Sequence, residues 1–129
     1  MNDSESNTLD AKKENVIKSK SFSFALKIVD LCKNLVETKK EFILSKQLLK
    51  SGTAIGALIR ESEHAESKLD FIHKMSIAQK EANETDYWIE LLFQSNYISK
   101  DEYSDCMNSL ESIRKIISAI IVTSKRKIK

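Results

Sequence analysis

Residues 51–61 read SGTAIGALIRE. Gly52 and Gly56 stand four apart and are the only glycines of the chain, which has no proline. Glycine normally interrupts a helix, at a cost of about 1 kcal/mol relative to alanine. Yet the apolar rhythm of Leu44, Leu48, Ser51, Ile55 and Leu58 or Ile59 runs straight through both, which predicts a helix over about 39–64. Small residues four apart carve a groove in which a second backbone can lie close. That neighbour is either another helix of the same chain or another copy of it. Lys50 and Arg60 flank the stretch and exclude a membrane use of the motif.

The same rhythm extends to both sides. Phe22, Ala25, Leu26, Ile28, Val29, Cys32, Leu35 and Val36 predict a first helix over about 21–38. Thr38-Lys39-Lys40-Glu41 has the spacing of a capping box and places the start of the second helix at 39. Ser67-Lys68-Leu69-Asp70 opens a third over about 68–95, and Ser99-Lys100-Asp101-Glu102 opens a fourth. Nothing strand-like separates them. Short connections between long helices give an all-α fold, an antiparallel up-down-up-down four-helix bundle. Residues 1–18 are polar and aperiodic and are expected to form a flexible N-terminal arm. The bundle domain is then 19–129.

The bulk numbers agree with a single domain. The chain has 129 residues, 41% apolar and 31% charged, which is enough for one core. The longest apolar run, Ile116 to Ser124, is far short of a membrane span. The N-terminus lacks the apolar stretch of a signal peptide, so a cytoplasmic protein with no membrane partner is expected. Cys32 and Cys106 fall on apolar helical positions and are expected as buried thiols.

Little in the chain suggests chemistry. There is no nucleotide loop, nucleophile elbow or CxxC, and no enzymatic activity, cofactor or metal is expected. One constellation deserves weighing. Glu61-x-x-His64 and Asp70-x-x-His73 echo the Glu-x-x-His units of di-iron bundles. The second acid is short, and helices 1 and 4 offer no inward carboxylates to complete the set. A di-metal bundle is therefore a minor rival. The carboxylate pairs Glu81/Glu84 and Asp86/Glu90 read as a solvated face beside Lys74 and Lys80.

Two surfaces stand out instead. The third helix has a main apolar arc and a second, aromatic one with Ile77, Tyr87, Trp88 and Leu91, which is either a wide core or a subunit interface. Gly52, Gly56, Tyr87, Trp88 and Leu91 are the candidates for self-association. The net charge is only +2, but the last five residues, KRKIK, are basic. Lys125, Arg126, Lys127 and Lys129, with Arg114 and Lys115 behind them, are the candidates for contact with nucleic-acid phosphates.

The segment KQLLKSGTAIGALIRESEHAESKLDFIHKMSIAQKEANETDYWIELL, Lys46 to Leu92, resembles the signature of a family of small bacterial four-helix-bundle proteins. That group includes proteins encoded by intervening sequences in 23S ribosomal RNA genes. It also includes the accessory variability determinant of diversity-generating retroelements. The likeness runs from about Ser19 to Lys127. It implies an antiparallel four-helix bundle, a homo-oligomer (a pentamer in retroelement relatives) and association with RNA and an RNA-processing or reverse-transcriptase partner. One departure is Leu58, where the family commonly has asparagine. The rival reading is a protein-interaction module that binds no nucleic acid.

Overall fold

The computed structural model describes residues 3–128, with side chains from residue 9 onward. Four helices follow one another: α1 (Asp3–Glu37), α2 (Leu44–Ser62), α3 (Lys68–Gln94) and α4 (Lys100–Ile128). No strand occurs among the described residues. Packing follows chain order, α1 on α2, α2 on α3, α3 on α4, and α4 back on α1, while the diagonal pairs stay apart. That closed ring is the antiparallel up-down-up-down bundle.

The core runs down the axis. Phe24, Ile28 and Leu35 of α1, Leu48, Ile55 and Ile59 of α2, Met75, Ile89 and Leu92 of α3, and Leu110, Ile113 and Ile117 of α4 are fully or almost fully buried. Spacings of three and four place each set on one helix face. The hydroxyls that enter this interior are satisfied locally. Thr85 Oγ1 lies 2.7 Å from the Glu81 carbonyl and 3.0 Å from Ser51 Oγ, joining α3 to α2. Leu58 is half-buried and packs against the core.

Both glycines are inside α2, and neither has a positive φ. Among the described residues the left-handed positions are Lys40 and Asn96, in the turns that follow α1 and α3. At Asn96 the turn closes with Tyr97 N–H on Leu92 O and Asn96 N–H on Phe93 O, a Schellman arrangement. The glycines serve close approach instead. A Cβ on Gly52 would stand 3.0 Å from Ile28 Cγ2, and one on Gly56 would stand 3.4 Å from the Ser21 carbonyl oxygen. The neighbour across the groove is α1 of the same subunit.

Two boundaries depart from the sequence expectation. α1 begins near residue 3 rather than 21, so the limit drawn at residue 18 falls inside a helix. Ile17 is fully buried in the core. Lys18 pairs with Glu63 at 3.0 Å, and Lys127 pairs with Asp10. The early turns escaped notice because Ile17 alone among them carries an apolar side chain into the core. α2 begins at Leu44, not 39. Thr38 lies in the turn, and Glu41 does the capping with its own side chain. Its Oε1 accepts from Ser45 N–H at 2.7 Å and its Oε2 from Ile43 N–H at 3.2 Å.

The other two starts match. Ser67 caps α3 by accepting from Asp70 N–H at 3.0 Å, and Asp70 accepts from Glu66 N–H. Ser99 and Glu102 exchange both hydrogen bonds of a capping box at the start of α4.

Glu41 makes a testable contribution. Burial pushes its carboxyl up, but the amides of Ser45, Leu44 and Ile43 outweigh that and hold it below the ordinary carboxylate range. A lowered folded value stabilises the fold above the unfolded value of about 4.3, and the stabilisation fades as pH falls through the folded one. Glu41→Ala is expected to lose about 1–2 kcal/mol in urea unfolding at neutral pH. The gap from the parent should narrow near pH 3. Equal stability at neutral pH would refute the capping role.

Candidate functional site

The basic candidates do not gather in one place. Lys125 and Arg126 are exposed on the last turn of α4, but Lys127 is engaged by Asp10 of α1. Lys129 lies outside the described residues. Arg114 is part-buried on the α3 edge of α4, 2.7 Å from Asp86 and 3.0 Å from Glu111. Burial would lower its pKa, but hydrogen bonds to these carboxylates dominate and raise it. Arg114 therefore holds α3 against α4 and is not a free cation. Lys115 is exposed and sits about 16 Å along the helix from Arg126 at 1.5 Å per residue.

The self-association candidates also separate. Gly52 and Gly56 face α1 within the subunit and leave that set, because a second copy would have to occupy space that Ile28 and Ser21 already fill. Trp88 is half-buried against the core, and its indole N–H reaches Glu84 Oε1 at 3.4 Å. Tyr87 meets it edge to face at 5.0 Å and is 59% exposed. Leu91 is half-buried. The aromatic arc of α3 is thus partly a broadening of the core, with Tyr87 as its outward member.

The apolar residues that predict the first helix do not all face the core. Of the eight residues of that pattern, Ile28, Cys32 and Leu35 are buried, whereas Phe22 (47%), Leu26 (54%) and Val36 are exposed. At 100° per residue, Phe22, Ala25, Leu26, Val29 and Val36 share an arc of about 100°. The Arg60 guanidinium lies 4.8 Å over the Phe22 ring, so that arc borders α2. Leu49 of α2 is exposed, and Phe42 in the turn is also exposed. The signal was present in the sequence: eight apolar positions spread over about 180° exceed one buried face.

Metal-ligating types do not converge. Among the described residues no three of His, Cys, Asp and Glu come together to hold an ion. Glu61 pairs with Lys74 at 3.0 Å, Asp70 caps α3, and His64 and His73 are exposed. Cys32 and Cys106 are free and buried. Burial pushes their thiols up, to about 12 and about 11, which makes them poor nucleophiles. Among the described residues no helix is long and apolar enough to cross a membrane.

Residues 13–119 match the 23S rRNA-intervening sequence protein family. The chain belongs to that family. A crystal structure of a protein of unknown function from the S23 ribosomal protein family of Bacteroides thetaiotaomicron is similar to it. The two are 53% identical, with a TM-score of 0.84, over 84% of this chain and 97% of the other. No curated protein matches. The family match includes Ile17 and the turn before it, within the stretch whose sequence predicts an arm. It also spans the glycine groove and the apolar strip of α1.

Proposed function

We propose that this protein is a non-catalytic, self-associating scaffold that works with RNA in the bacterial cytoplasm. The observation that carries the reading is the apolar strip along the α1–α2 seam, from Val36 through Val29 and Leu26 to Phe22, with Leu49 beside it. Monomeric soluble proteins rarely leave a continuous apolar row of this length in water. A second copy is the favoured occupant: the strip lies along α1 and the adjoining face of α2, helices of 35 and 19 residues that can pack on the same helices of another copy. The pentamer of the retroelement relatives is one closed assembly such a contact could build. The RNA part of the proposal draws on the family description and on exposed Lys125 and Arg126.

Light scattering across a salt series, with and without RNA, tests both parts. The expected result is a multiple of the 14.7 kDa chain mass that persists at high salt, with RNA binding that weakens as salt rises. Leu26→Glu should shift the assembly to monomer at micromolar concentration while leaving thermal unfolding of the subunit within a few degrees, because Leu26 is outside the core. A parent chain monomeric at all concentrations would overturn the scaffold reading. Assembly without RNA binding would favour a purely protein-binding module.

A further inference from the structure

A groove of about 210 Å³ opens on the other side of α1, along its seam with α4. Its lining is Ser19, Lys20, Ser23, Phe24, Lys27, Ser109 and Ile113. Phe24 and Ile113 are buried and form the floor. Two ammonium groups and three hydroxyls form the rim, and no carboxylate lines it. Lys27 is held in place by α4: its Nζ donates to Ser109 Oγ at 2.9 Å and pairs with Asp105 at 2.9 Å. Lys20 is exposed and makes no ion pair among the described residues.

Lys13, Lys20 and Lys27 are spaced seven apart. That spacing keeps them within an arc of about 40° and about 10 Å apart along the helix. The Lys27 contacts with Ser109 and Asp105 fix the arc on the α4 side. Lys27 is met by Asp105, which leaves Lys20 at the rim and Lys13 two turns beyond it as the cations offered to a chain of phosphates: lysine supplies point charge, and serine supplies a short donor to a phosphate oxygen. No Asn, Gln, Arg or acidic side chain and no exposed aromatic ring lines the groove, so lysine and serine would meet mainly the phosphates of the backbone.

We infer that the α1–α4 groove binds the phosphodiester backbone of single-stranded RNA, with Lys20 at its rim, Lys13 continuing the row beyond it, Lys27 held beside Asp105 as its wall, and Ser19, Ser23 and Ser109 donating to phosphate oxygens. This rests on the RNA-associated reading above and moves its contact surface from the α4 tail to a built groove. The groove and the apolar seam border α1 on opposite sides, so an assembly through the seam leaves the groove open and repeats it once per subunit.

The test is fluorescence anisotropy of a labelled oligouridylate with the full chain over a salt series. Lys13→Ala with Lys20→Ala should weaken binding about tenfold and reduce the slope of log K against log salt by about 1.4, two phosphates at about 0.7 each. Ser23→Phe, which fills the trough and removes no charge, should weaken binding several-fold. All three positions are exposed, and circular dichroism will confirm that the variants fold. Lys125→Ala with Arg126→Ala should have the smaller effect. If the tail variant abolishes binding and the groove variants do not change it, the groove assignment falls and the RNA reading stands. If Ser23→Phe binds like the parent while the lysine variant is weakened, diffuse charge is the binder and the groove assignment also falls. If the parent chain does not bind, the RNA reading falls and the groove with it.

Discussion

Gly52→Leu is expected to destabilise the subunit by about 3 kcal/mol or more, whereas Gly56→Ala should be neutral or stabilise it by up to about 1 kcal/mol. The two positions share a motif but differ in surroundings. A Cβ at Gly52 would already stand 3.0 and 3.1 Å from the γ carbons of Ile28, a fully buried side chain. The three further carbons of leucine have no room unless α1 and α2 move apart, and overpacking of this kind costs about 1–3 kcal/mol and occasionally more. At Gly56 the nearest atom to an added Cβ is the Ser21 carbonyl oxygen at 3.4 Å, an ordinary contact. Alanine there recovers the helix propensity that glycine forfeits. Against a typical total of about 5–15 kcal/mol the leucine effect is large. It should appear as a fall in the thermal midpoint of about 10 °C, with each kcal/mol worth roughly 4 °C at this size.

The pair also decides between the two neighbours that the glycine motif allowed. If the groove held a second copy, Gly52→Leu would break the assembly and leave subunit unfolding almost unchanged. If it holds α1, unfolding shifts at every protein concentration. A midpoint unaffected by Gly52→Leu would contradict the close α1–α2 contact.

What the sequence revealed follows from which forces leave a periodic trace. The four helices and two of the three start signals were legible, because burial imposes the three-four rhythm and caps need particular residues at fixed offsets. Thr38 misled for a physical reason: its box spacing is present, but the chain first turns through left-handed Lys40, and the Glu41 carboxylate reaches the next amides itself. Phe22 and Leu26 fit the helical rhythm yet are exposed, because apolar character shows that a residue avoids water, not which neighbour covers it. Arg114 counted as a free cation since its partner Asp86 is distant in the chain and adjacent only once α3 and α4 pack. The lysine row of α1 went unremarked because the boundary drawn at residue 18 separated Lys13 from Lys20.

That boundary leads to the second large effect. Ile17→Ala is expected to cost about 2–5 kcal/mol, the range for isoleucine truncated in a packed core. Ile17 is fully buried although nearly everything before it is polar. A flexible arm would make the substitution silent, because a side chain already in water loses no contacts. Val16→Ala is the control on the same turn: Val16 is 41% exposed and should move stability by no more than about 0.5 kcal/mol. The comparison bears on function as well as fold. Ile17 is one turn from Lys13 and one from Lys20, so its anchorage is what aligns the first lysine with the other two. Ile17→Ala should therefore loosen the start of α1 and weaken oligouridylate binding under conditions where the bundle is still folded. Urea unfolding followed by circular dichroism, with anisotropy on the same samples, measures both effects. Equal stability of the two variants would detach α1's first turns from the bundle and remove the upper end of the phosphate row.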